Sequence, residues 1–158
     1  RGGRPVGVHR ALNDIVIGWG ESSRIVTLAL RIQGEDVSTY ACDGLILSTP
    51  TGSTGHSLSA GGPILHPESP VFVLNPICPH TLSNRPMVIP DDRTIEIEVR
   101  RSSKNQLFVI DGQDHQTVVE GDHVVVRRAV PGVRLVHLPG YSYFSVLRQK
   151  LHWRGSNV

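Results

Sequence analysis

Apolar residues along this chain recur at every second position or in short β-branched runs. They do so over Asp14-Ile15-Val16-Ile17, over 24–32, which starts at Arg24, and over Gly44-Leu45-Ile46-Leu47-Ser48, and each pattern predicts a strand. The second half repeats it over 70–74, 94–100, Gln106–Ile110 and 123–128, every run bounded by turn residues. Glu96, Glu98 and Arg100 alternate with Ile95, Ile97 and Val99, so that strand has one wet face. Two stretches have helical character: 57–61, and 143–153, where Phe144, Leu147 and Leu151 fall at helical spacing. Eleven prolines and sixteen glycines cut the rest into short pieces. That predicts a mostly β, sandwich-like fold rather than alternating βαβ units.

The bulk numbers narrow this picture. A length of 158 residues, 39% of them hydrophobic, can bury one sizeable core, so 1–158 reads as one domain. The formal net charge is +2 and Lys and Arg are scattered, which argues against nucleic acid or a membrane surface as partner. Cys42 and Cys78 are the two cysteines, far apart and outside any CxxC or Cys/His cluster, so neither a disulfide scaffold nor a zinc site of usual spacing is expected. No run reaches the roughly 18 apolar residues of a membrane span, and the start lacks a secretion pattern. A soluble, cytoplasmic protein is expected. Arg1 is not an initiator Met, and Arg1-Gly2-Gly3-Arg4-Pro5 reads as a linker or cut point, so a preceding segment is expected.

The chemistry is concentrated in one segment. The strand ending at Leu47-Ser48 runs into Thr49-Pro50-Thr51-Gly52-Ser53-Thr54-Gly55-His56-Ser57-Leu58-Ser59-Ala60-Gly61-Gly62-Pro63. Glycine lets a backbone approach a ligand closely, and hydroxyls with free N–H groups at a helix start can hold phosphate or ribose oxygens. A Gly/Ser-rich surface loop is the plain alternative. No Lys follows any of these glycines and Gly-x-Ser-x-Gly is absent, which disfavours a P-loop ATPase and an α/β-hydrolase.

Asp43-Gly44, then Ser48-Thr49-Pro50-Thr51-Gly52-Ser53-Thr54 and Ser57-Leu58-Ser59-Ala60-Gly61-Gly62-Pro63-Ile64-Leu65-His66-Pro67, resemble the signature of the NAD kinase family. Supporting pieces follow in family order: Asn13-Asp14 within 11–17, Pro79-His80-Thr81-Leu82-Ser83-Asn84-Arg85-Pro86, Asp111-Gly112-Gln113, and Tyr141-Ser142-Tyr143-Phe144 with Leu147, Lys150, Leu151 and Trp153. The resemblance spans nearly the whole chain and is to the family's C-terminal, dinucleotide-binding domain.

That resemblance implies an NAD-binding set of Asn13, Asp14, Asp43, Thr54, Gly55, His56, Ser57, Leu58, Ser59 and Gln113. Carboxylates and amides can fix ribose hydroxyls or a base edge, while backbone N–H groups suit a pyrophosphate. Three positions depart from the pattern. Asp14 stands where the family commonly has Glu, Gly55-His56 where it usually has Ala-Tyr, and Ala41 where a basic residue often precedes the Asp. Without the family context Asp43 and Asn13-Asp14 would read as turn residues and His56 as a solvated loop histidine.

The resemblance further implies phosphoryl transfer to the adenosine-ribose 2′-hydroxyl of NAD, giving NADP, from ATP or polyphosphate with Mg²⁺ or another divalent cation in the complete enzyme. The family's catalytic Asp belongs to a Gly-Gly-Asp-Gly-Thr motif in an N-terminal α/β domain, and that motif is absent from these residues. Hence no catalytic residue and no metal ligand is assigned here, the missing N-terminal domain is a required partner, and the chain alone is expected not to turn over. Family members assemble as dimers or tetramers, so a homo-oligomer is implied. The competing readings are a non-catalytic NAD/NADP sensor module and a diacylglycerol- or sphingosine-type lipid kinase.

Overall fold

The computed structural model describes residues 1–2, 4–18, 25–81, 83–102 and 106–153. Arg24 of the expected second strand, Gly3 and Leu82 lie outside the described residues. Ten strands and two helices are assigned among those described, in two antiparallel sheets. In chain order they are β1 Asp14–Gly18, β2 Val26–Ile32, β3 Glu35–Cys42, β4 Gly44–Ser48, α1 His56–Ser59, β5 Val71–Ile77, β6 Met87–Pro90, β7 Ile95–Arg101, β8 Gln106–Ile110, β9 Asp114–Val118, β10 His123–Val126 and α2 Tyr143–Lys150. A 3-10 turn, Gly52–Thr54, precedes α1. One sheet has the order β6-β5-β4-β1-β8-β9 and the other β10-β7-β2-β3.

The expected sandwich is present. Ile15 and Ile17 of β1, Leu45 and Leu47 of β4 and Leu74 of β5 meet Leu28 and Leu30 of β2 and Ile95, Ile97 and Val99 of β7 in one buried cluster. Alternation leaves Glu96 and Glu98 on the outer side of β7, half-buried, as the sequence predicts. Central strands β1 and β4, however, are buried at every residue. Their second face carries Asp14 and Val16 beside Ser48 and Ile46, and α1 lies against β4. The Gly-rich loop therefore covers the outside of the larger sheet.

Three strands exceed the sequence reading: β3, β6 and β9. Two of them are made by tight turns. Gln33 and Gly34 join β2 to β3 with φ of 54° and 81°, the left-handed pair of a type I′ hairpin. Asp111 and Gly112, with φ of 49° and 67°, turn β8 into β9, and the Gln113 N–H donates to the Ile110 carbonyl at 3.0 Å. Pro76 sits within β5 opposite Leu45, at the end of the strand beyond its pairing with β6, where a missing donor breaks no ladder.

Both helices are shorter than the reading. α1 is a single turn starting at His56 rather than Ser57. α2 begins at the expected Tyr143, with the Ser142 hydroxyl accepting the Ser145 N–H at 3.3 Å, and stops at Lys150 instead of 153. His152 takes φ 53°, while the Trp153 N–H reaches the Arg148 carbonyl at 3.0 Å and the His152 N–H the Gln149 carbonyl at 3.4 Å. This is a Schellman stop with histidine in the place glycine usually fills. Leu147 is buried and Leu151 half-buried, but Phe144 is exposed, so the apolar stripe is narrower than its spacing implies. No helix among the described residues is long and apolar enough to cross a membrane.

Candidate functional site

On the outer face of the larger sheet an open cleft of about 640 Å³ gathers Asn13, Asp14, Thr54, Gly55 and His56 with Asp111 and Lys150. Its floor is the second face of β1 and β8, where Val16 pairs with Val109. The Gly-rich loop forms one wall. A larger groove of about 770 Å³ lies along the N-terminal segment and β10, where apolar residues such as Val6, Val8 and Phe72 mix with charged ones such as Arg10, Arg127 and Arg128. Of the predicted site residues it touches only Asp14, whereas the smaller cleft gathers five of them.

The loop is fixed to the end of β1 by its own hydroxyls. The Thr49 hydroxyl donates to the Leu12 carbonyl at 2.7 Å and accepts the Gly52 N–H at 3.2 Å. The Thr49 N–H meets the Asn13 carbonyl at 2.9 Å. Gly52 lies so close to Asn13 that a Cβ there would stand 2.5 Å from its carbonyl carbon. Buried Ser53 donates to Pro50 at 2.7 Å and accepts the Leu65 N–H at 3.0 Å. Asn75, 1% exposed, donates to the carbonyls of Ser57 and Ala60 at 3.0 and 3.2 Å, which satisfies the end of α1 from beneath.

Asp111 ties the other side. One of its oxygens accepts the N–H groups of Asn13 and Asp14 at 2.7 and 3.0 Å, and the second accepts that of Leu12 at 2.8 Å. Burial pushes this carboxyl up, but the three N–H donors outweigh it and hold it below the usual carboxylate range. Asp14 is 7% exposed and moves the other way. Burial raises it, the His56 imidazole opposes, and the Asp111 charge adds to the rise.

The predicted residues thus divide. Asn13, Asp14, Thr54, Gly55 and His56 converge on the cleft. Ser57 turns inward, its hydroxyl wholly buried and packed against Gly62. Leu58 is half-buried and Ser59 exposed on α1, outside the cleft lining. Gln113 is exposed one residue beyond Gly112, which does line it. Asp43 is not brought to this cleft within the chain. Gly18 pairs with Gly44 and Asp14 with Ser48, so Asp43 lies beyond the opposite end of β1, roughly 17 Å from Asp14 at strand rise. Asp111 and Lys150 are the charged cleft residues that the predicted set did not include.

The sequence of 12–138 matches the family model for the ATP-NAD kinase C-terminal domain. The chain belongs to the NAD kinase family. It is similar to the NAD kinase of Magnetococcus marinus, 45% identical over 145 residues, which are 92% of this chain and 48% of that protein. With the NAD kinase of Citrifermentans bemidjiense it is 46% identical over 154 residues, 97% of this chain and 54% of the other. The chain spans about half the length of the curated relatives it matches. Among solved structures, yeast NADH kinase complexed with NADH superposes with a TM-score of 0.72 at 39% identity, covering 76% of this chain and 35% of that one. An NAD kinase from Archaeoglobus fulgidus in complex with ATP gives 0.68 at 32% identity, covering 76% and 46%. The fold is therefore that of the NAD kinase C-terminal domain, and these relatives give no support to a lipid kinase or a sensor module.

Proposed function

We propose that this chain forms the dinucleotide-binding half of an NAD kinase, 1–158 acting as one domain, in a reaction that phosphorylates the adenosine-ribose 2′-hydroxyl of NAD with ATP or polyphosphate. The observation that carries this is the convergence of Asn13, Asp14, Thr54, Gly55 and His56 on one cleft, at the loop whose sequence fits a nucleotide. Asn13 and Asp14 present an amide and a carboxylate suited to paired ribose hydroxyls. Thr54 keeps its hydroxyl 3.5 Å from the Thr51 carbonyl, a long contact that a ligand oxygen can displace. His56 offers a flat ring against a base or ribose face.

The cleft does not itself fit magnesium. Both Asp111 oxygens are occupied by backbone N–H groups, Asp14 is buried with its proton affinity raised, and no trio of ligating side chains occurs among the described residues. A hard cation wants several free oxygens, which the described residues of this cleft do not offer. Asp43 lies at the far end of β1 and has no part in the cleft of its own chain.

Calorimetric titration with NAD and NADP tests the reading, with an assay for NADP formation from ATP and Mg²⁺. NAD binding that Thr54→Ala weakens, without turnover, is expected. Turnover by the chain alone, or no binding of either dinucleotide, refutes it.

A further inference from the structure

We propose that Lys150, at the end of α2, binds a phosphate of the dinucleotide; this rests on the reading of the cleft as the dinucleotide site. The cleft presents two carboxylates, Asp14 and Asp111, to a ligand that is itself anionic along its pyrophosphate. Lys150 is the one Lys or Arg among the described residues lining it. A site with those two carboxylates needs a cation to accept a phosphate, and a compact ammonium on a flexible stem is suited to the task.

Its charge is not consumed elsewhere. Among the described residues Lys150 makes no salt bridge, and the Asp111 oxygens are engaged by Leu12, Asn13 and Asp14. The helix beneath it is held firmly. Leu147 is buried, the Tyr143 hydroxyl donates to the Leu65 carbonyl at 3.2 Å, and the His66 ring meets Tyr143 edge-on at 5.0 Å between centroids. Leu65 is also the residue whose N–H bonds to Ser53 in the Gly-rich loop. The cation and the loop are therefore positioned through one shared residue. The ordinary alternative is that Lys150 merely complements the helix dipole at the last turn, which would affect stability and not the ligand.

Lys150→Ala and Lys150→Arg in the full 158-residue chain separate the two, with calorimetric titration of NAD, NADP and adenosine, plus thermal melting. The expected result is a three- to tenfold rise in Kd for a phosphate-bearing ligand in Lys150→Ala, about one modest charge contact, and near wild-type binding in Lys150→Arg. Adenosine affinity and melting temperature should not move. Equal losses for NAD and NADP place the contact at the pyrophosphate, and a loss confined to NADP places it at the 2′-phosphate. Unchanged Kd for both dinucleotides, or a parallel fall for adenosine, overturns the proposal. If Thr54→Ala weakens NAD and Lys150→Ala does not, only the Lys150 contact fails. If the unaltered chain binds neither dinucleotide, the cleft assignment fails with it.

Discussion

Asp111→Asn tests the physical argument for the site most directly. The carboxylate accepts three backbone N–H groups from Leu12, Asn13 and Asp14, and Asp111 adopts φ 49°, a conformation asparagine tolerates well. The substitution thus leaves the turn intact and removes the charge and one acceptor. A hydrogen bond to a charged group contributes about 1.5–3 kcal/mol. Asp111 is only half-buried, so water competes and the three together are taken at about 2–4 kcal/mol. Keeping one oxygen should leave a net loss of about 1–2 kcal/mol. Because the folded pKa lies below the ordinary value, this stabilisation is present above the unfolded pKa of about 3.9 and is lost as pH falls through the folded one. Urea denaturation should therefore show the gap between wild type and variant largest at neutral pH and shrinking below about pH 4. The NAD affinity should fall too, since the same bonds set Asn13 and Asp14. A stability difference under about 0.5 kcal/mol at neutral pH, or one that persists undiminished in acid, would refute the reasoning.

Asp14→Asn should separate function from stability. Burial raises the Asp14 pKa in the folded state, so holding the charge at neutral pH costs stability and acid relieves that cost. The variant should melt no lower than wild type at pH 7 and bind NAD about tenfold more weakly, as thermal scans and calorimetry would show. Gly52→Ala drives a Cβ into the Asn13 backbone, where no side chain can yield. A loss of about 2–4 kcal/mol in chemical denaturation is expected. Asn75→Ala removes the side-chain donor to the Ser57 and Ala60 carbonyls, of which Ser57 keeps the Gly62 N–H, and should cost about 1–2 kcal/mol, again read by denaturation.

What the sequence disclosed follows from which interactions are local. Strand β4 was legible to the residue because its apolar run ends against Asp43-Gly44 on one side and Thr49-Pro50 on the other. Strand β3 was not, since its first five residues are exposed and only Tyr40 and Cys42 face the core. Its Glu, Asp, Ser and Thr hide the period-two signal, and the usable clue was the Gln33-Gly34 turn that returns the chain along β2. Strand β9 was hidden for the same reason, behind Asp111-Gly112.

The site divides along a similar line. Motif identity ranks residues by type, whereas a sheet sorts them by face and by end. Asp43 satisfies the motif, yet the antiparallel register that pairs Gly18 with Gly44 and Asp14 with Ser48 puts it at the wrong end of β1 for the cleft of its own chain. Lys150 satisfies no nucleotide motif, yet α2 ends at the cleft and the residue lines it. Asp111 shows the point most sharply. Its partners lie 97 to 99 residues earlier, and only the pairing of β1 with β8 brings its carboxylate under their N–H groups. A residue that the sequence placed only within the Asp111-Gly112-Gln113 piece thus becomes the clamp on the segment that carries Asn13 and Asp14. The chemistry of a split site is then set less by the loop that names it than by the strand neighbours that hold that loop in place.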